Sequence, residues 1–273
     1  MKFLLLSGLC IFVSADLLAQ QAVFRSQSAN LNSYSSPTKP LSNTPAPKVQ
    51  VAQDTQVIKK RFAPNGINIH LLPLFGEFEK TDVQKIVDEE FLKACDKSFK
   101  SRSEASDFFA VRAWEYLGEG AKDTATYRFN LAYLLDDQNP EIYWGLGVIA
   151  YQNEKYAQAI DLMQRGLAID EDDNITLLID LSTVYIKCFT VDANKENLRK
   201  ALDLLTDALI KQPESPNALM QLSLAKLLND EIDEAWERFH QGYGLDPDNA
   251  SIEILEGLLA KKDDPRGVFK KKN

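Results

Sequence analysis

Two periods run through the second half of the chain. Apolar residues recur every three to four positions, the spacing that puts one stripe on a helix, and the stripes themselves recur about every thirty-four positions. Ala125, Phe129 and Ala132 return as Ala159, Met163 and Gly166; Ala201, Leu205 and Ala208 return as Ala235, Phe239 and Gly242; Pro213 returns as Pro247. Upstream in each unit Leu146-Gly147, Leu181-Ser182 and Leu222-Ser223 repeat as well. A period in this range predicts a stack of identical supersecondary units, each too small to bury its own apolar face. The two-part pattern predicts a helical hairpin per unit: small residues at 125, 159, 201 and 235 let its two helices A and B approach, and bulky residues at 129, 163, 205 and 239 fill the interface with the next unit. Small residues at 132, 166, 208 and 242 seat the following helix A, while Pro213 and Pro247 end helix B.

The flanks read differently. Thr81 and Gln84 have capping-box spacing, and Val83, Ile86, Val87, Phe91, Leu92 and Cys95 follow at helical intervals, predicting a helix over 81–99. Residues 61–80 carry Ile67 to Phe75, an apolar run that Pro73 keeps from being a helix; an extended segment lying on the folded body is expected. Ile252, Leu255, Leu258 and Leu259 mark a closing helix over 249–262, the cap a repeat stack needs, and 263–273 reads as a flexible tail. The step from Ala159 to Ala201 is eight residues too long, which predicts a longer A–B turn around residues 188–200.

These residues resemble the tetratricopeptide-repeat (TPR) motif, with its Leu-Gly pair on helix A and its small, aromatic and small positions on helix B. The resemblance implies an all-α fold: a right-handed superhelical stack of helical hairpins, a TPR-like α-solenoid, with N- and C-terminal capping helices. Its four repeats fall at about 106–139, 140–173, 174–215 and 216–249, within 103–248. Arg112-Ala113 and Glu171 depart from the motif without breaking the period. The run Tyr127-Arg128-Phe129-Asn130-Leu131-Ala132 with Asn139-Pro140-Glu141-Ile142-Tyr143-Trp144-Gly145 is also similar to exported bacterial TPR proteins. The resemblance further implies that helix A side chains line a concave groove: Trp114 and Leu117 in the first repeat, Trp144, Val148 and Tyr151 in the second, Ile179, Thr183 and Ile186 in the third, Met220, Leu224 and Leu227 in the fourth. An aromatic-lined groove suits a peptide, since Trp and Tyr dominate protein-binding hot spots; in so small a stack the same positions also serve as internal packing. A Lys/Asn/Arg carboxylate clamp is missing from them. Residues 67–75 are a candidate for occupying the groove intramolecularly.

The N-terminus sets the expected compartment. Met1-Lys2, the apolar run Phe3–Val13 and small residues before a cut after Ala19, or alternatively Ala15, form a secretory signal, predicted as 1–19. Leu9 is too bulky for a lipid-anchor site at Cys10. The stretch 20–60, rich in Ser, Asn, Gln, Thr and Pro, reads as a disordered linker. The mature chain is expected to be exported, periplasmic in a Gram-negative bacterium or secreted.

Charge and chemistry narrow the function. The 273-residue chain has a formal net charge of −9, and residues 103–262 hold 29 acidic against 14 basic side chains. Such a surface disfavours nucleic acid, whose phosphates need a basic face. Cys95 and Cys188 sit in separate predicted helices and read as buried free thiols. Only two histidines occur, His70 and His240, neither beside a ligand partner in sequence. Asp170-Glu171-Asp172-Asp173-Asn174 lacks the Gly and bidentate Glu of a calcium loop and reads as a turn with acidic groups at a helix N-terminus. Phosphate-loop, nucleophile-elbow and zincin motifs are missing. No catalytic residue, cofactor or metal is therefore expected. The reading is a non-enzymatic scaffold for a protein or peptide. Its rivals are a structural subunit working through its convex face and a hydrolase or carbohydrate-binding protein with an unrecognised site.

Overall fold

The computed structural model describes residues 61–171 and 174–270. The predicted signal and linker, with Cys10, lie outside them. The described residues are helical apart from turns and a single isolated bridge between Phe62 and Glu79. By its contacts the chain divides into two compact units, 1–131 and 132–273.

In the first unit α1 (Asp82–Ser98) is followed by α2 (Arg102–Gly118) and most of α3 (Lys122–Leu135). The predicted capping box is formed: the Thr81 hydroxyl accepts from the Gln84 N–H, and the Thr81 N–H donates to Gln84 Oε1 at 2.9 Å. Cys95 is the buried residue of α1. The pair α2 and α3 is the first predicted hairpin, and Trp114 meets Phe129 edge-on across it, with ring centroids 5.6 Å apart.

The second unit takes in the end of α3 and then three hairpins: α4 (Pro140–Gln152) with α5 (Tyr156–Ile169), α6 (Ile175–Asp192) with α7 (Lys195–Lys211), and α8 (Pro216–Leu228) with α9 (Ile232–Leu245). Each pairs internally, α5 then lies on α6 and α7 on α8, and α10 (Ile252–Lys261) closes on α8 and α9. Every helix A starts on a side-chain cap, Asn139, Asn174 or Ser215, and the first and third carry Pro at the first helical position, where its missing N–H costs nothing.

The glycines show which close approaches the packing uses, and one of them departs from its expected role. A Cβ on Gly147 would stand 2.6 Å from Met163 Cγ, so α4 and α5 touch at a point only glycine allows. On Gly166 a Cβ would press on Tyr143 of its own hairpin and on Leu177 of the following helix A. Gly242 instead faces Met220, Leu219 and Pro216, all of its own helix A; there it seats its own hairpin, not the next one.

Three expectations are corrected. The extra length of the third repeat is in the helices: α6 and α7 have 18 and 17 residues against 13 and 14 in α4 and α5. Their connection stays short because Ala193 takes a left-handed conformation and turns the chain at once. The segment 61–80 is two tight turns and no extended strand, Ile69–Leu71 and Pro73–Glu77. The C-terminal residues through 270 are tied down: Asp264 is buried and Phe269 packs on the Trp236, His240, Phe239 and Tyr243 rings.

Candidate functional site

The helix A residues expected to line a groove are packed inside instead. Trp114 and Leu117 are buried in the first unit, and Trp144, Val148, Tyr151, Ile179, Ile186 and Met220 in the second. Thr183 is half-buried and its hydroxyl donates to the Ile179 carbonyl of its own helix at 3.0 Å. Leu224 and Leu227, also half-buried, pack against the cluster of Met220, Trp236, Phe239, Ile254 and Leu258. Within each unit these side chains are taken up by packing, the plainer of the two uses open to them.

What the first unit does hold is a segment of its own chain. The Asn130 side chain, fully buried on α3, donates from Nδ2 to the His70 carbonyl at 2.9 Å and to the Leu72 carbonyl at 2.8 Å. Ile69, Leu74 and Phe75 are buried. The His70 ring meets Phe75 edge-on and leans on Tyr127 of α3. Lys80 sets its ammonium 3.4 Å from the centre of the Phe75 ring and pairs with Asp88 of α1 at 2.5 Å. The expected intramolecular contact of residues 67–75 is thus made on α3, a helix B, and not in the helix A groove.

The strap's backbone is unusual. Leu74, Phe75 and Gly76 have φ of 51°, 56° and 64°, a left-handed turn, and Glu77 is also at positive φ. Left-handed residues other than glycine cost about 1 kcal/mol or more each and persist only when their surroundings hold them. At Gly76 a Cβ would also meet Leu72 and Phe78 at 2.9 Å. Two buried polar atoms here have no partner, Asn130 Oδ1 and His70 Nδ1. Burial, with help from the Lys80 ammonium and against Asp88, holds the His70 imidazole below its ordinary range.

Two further buried carboxyls, Asp180 and Asp264, have partners within the second unit. In the second unit Asp180 accepts from the Trp144 indole N–H at 2.7 Å, and burial pushes its carboxyl up to about 7 against that hydrogen bond. His240 bonds Asp264 at 2.7 Å between the Trp236 and Phe269 rings. Burial alone would raise the Asp264 carboxyl, yet the N–H groups of Phe269 and Arg266 and the His240 ring hold it at about 2. Among the described residues no three His, Cys, Asp or Glu side chains converge to hold a metal ion. A depression of about 220 Å³ between Leu167, Asn174, Leu178 and Lys211 falls below the size range of small-molecule pockets.

No family model and no curated protein matches the sequence. Solved structures do. The structure of pilF from Pseudomonas aeruginosa is similar at 21% identity over 59% of this chain and 70% of its own, with a TM-score of 0.51. A chain of the APC/C hetero-tetramer Cut9–Hcn1 gives 17% identity, 62% and 31% coverage, and a TM-score of 0.50. YrrB, described as a TPR protein with an unusual peptide-binding site, gives 20%, 66% and 95%, with a TM-score of 0.46. At these identities the likeness is one of fold: the chain folds as a tetratricopeptide-repeat stack of helical hairpins.

Proposed function

We propose that the chain is an exported, non-enzymatic scaffold that binds a protein or peptide. The observation that carries the reading is the strap on α3, where a buried carboxamide takes two backbone carbonyls of a non-helical segment. This is peptide recognition realised within the chain. The repeat fold supports the same reading, since such stacks supply surface and rarely chemistry. Export rests on the leader-like Met1–Ala19, and no described helix is long and apolar enough to cross a membrane. Mass measurement of the mature chain tests the leader: a first residue of Gln20 supports export, and a retained Met1 removes that part.

A second reading, a subunit of an envelope or secretion complex, is favoured by α1. Val83, Ile86 and Val87 recur at helical spacing and stand 71%, 58% and 55% exposed. Pull-down from the envelope fraction separates the two. Loss of the partner in Ile86→Asp with Val87→Asp points to the subunit; loss only when residues around Asn130 are altered supports peptide binding. Trp144→Ala and Tyr151→Ala are expected to act through stability, since both rings are buried.

A further inference from the structure

We infer that the face of α3 beneath residues 67–78 is a recognition site for an apolar, non-helical peptide of a partner, and that the strap is its resident competitor. This rests on the peptide-binding reading above and names the site. Three observations converge on it. First, the contact to the strap's main chain is independent of strap sequence: Asn130 reads carbonyls two residues apart, His70 and Leu72, and any peptide of the same local shape presents them. Selectivity then comes from the apolar side chains set around that contact, Ile69 before it and Leu74 and Phe75 after it, all buried.

Second, the strap satisfies the carboxamide only in part. Asn130 Nδ2 is doubly used while Oδ1, equally buried, accepts nothing. A buried acceptor left open is a standing penalty. Turning the amide over would set that oxygen against the two carbonyls, so the orientation is fixed by the strap. A partner peptide that offers an N–H beside its two carbonyls completes the carboxamide as the strap does not. The buried, unpartnered Nδ1 of His70 adds to the mismatch.

Third, the strap is held in a form it does not favour. Leu74, Phe75 and Glu77 lie at positive φ, and released residues relax from there. Its closing contacts are polar ones made by a single side chain, the Lys80 ammonium against the Phe75 ring and the Asp88 carboxylate. The site is therefore occupied by a ligand that is tethered, strained and incompletely matched, which an untethered peptide of matching chemistry displaces.

The test uses the full chain and a fluorescent synthetic peptide spanning residues 65–80. In the double variant Ile69→Asp, Phe75→Asp the strap loses two of its three buried apolar side chains, Leu74 remaining, while the sequence of α3 is unchanged. The expected result is peptide binding at least tenfold tighter than to the unaltered chain, lost again when Asn130→Ala is added. A double variant that keeps its helical circular dichroism yet does not bind overturns the inference. So does one that loses its helices, because the site is then not separable from the strap. On the unaltered chain, amides of residues 71–78 are expected to exchange hydrogen faster than those of α3; equal protection overturns the inference too. Envelope pull-down persisting after such a failure would leave the scaffold reading intact and relocate its surface.

Discussion

The Trp144 indole N–H donates to the Asp180 carboxylate at 2.7 Å, joining the helix A of one hairpin to the helix A of the next inside the second unit. Both groups are buried, and the carboxyl is pushed up to about 7. The folded state therefore keeps a proton that the unfolded chain releases near the ordinary carboxylate value. Stability from this group is greatest in acid and falls as pH rises from about 4 to about 7. Asp180→Asn keeps an acceptor for the indole without the charge. It should be more stable than the unaltered chain by about 1–3 kcal/mol at pH 8 and close to it at pH 4, read from chemical denaturation at both pH values.

The approach of α4 and α5 rests on Gly147. An added methyl meets Met163 Cγ at 2.6 Å, an overpacking cost of about 1–3 kcal/mol that helix propensity returns only by about 1 kcal/mol. Gly147→Ala should be destabilising, and Met163→Ala should cost about 2–5 kcal/mol alone. The double variant should cost less than the two together, because each change accommodates the other. Thermal melts of the four proteins give the coupling.

The C-terminal residues are latched by one carboxylate. Asp264 accepts from the N–H groups of Arg266, Val268 and Phe269 and from His240. Asp264→Ala should free Phe269 from the Trp236 ring and lower stability by about 1–3 kcal/mol, with a red shift in tryptophan emission. Held at about 2, this carboxyl contributes fully above the ordinary value near 4 and loses its contribution only as pH falls toward 2. Between pH 5 and 8 its contribution is flat, unlike that of Asp180.

Acid should loosen the strap. The docked His70 titrates below its ordinary 6.5, through burial and the Lys80 ammonium, with Asp88 opposing. Docking therefore excludes a proton: it is strongest above 6.5 and weakens as pH falls through that value, levelling off below the docked value. Exchange of the strap amides, corrected for intrinsic rate, should rise between pH 7.5 and 5.5. His70→Gln should remove most of the change.

The repeat was legible because its period is enforced by geometry that sequence records directly. Gly147, Ala159 and Met163 are a glycine, an alanine and a bulky side chain for reasons of distance alone, and the capping box at Thr81 needs only two side chains three residues apart. The groove was not legible. Val148 and Ile179 have the same spacing whether they face a peptide or the next hairpin, and only the packed structure distinguishes these. Asn130 stands in the run Tyr127–Ala132 yet gave no sign of its role, since its partners are backbone carbonyls some sixty residues away. Asp180 did leave a signal, a lone carboxylate in the apolar run Ile175–Leu181. The C-terminal latch was hidden because Asp263-Asp264-Pro265 has the composition of a loose end.

The claim that the first repeat is a peptide-holding surface is tested most directly by photo-crosslinking in the native cell. A photoreactive residue replaces Tyr127, which touches His70 from α3, and in a separate strain replaces buried Val148. A specific adduct from position 127, suppressed by excess peptide 65–80, with none from 148, is the predicted result. An adduct from 148 with none from 127 would contradict the account and return the binding surface to the helix A face.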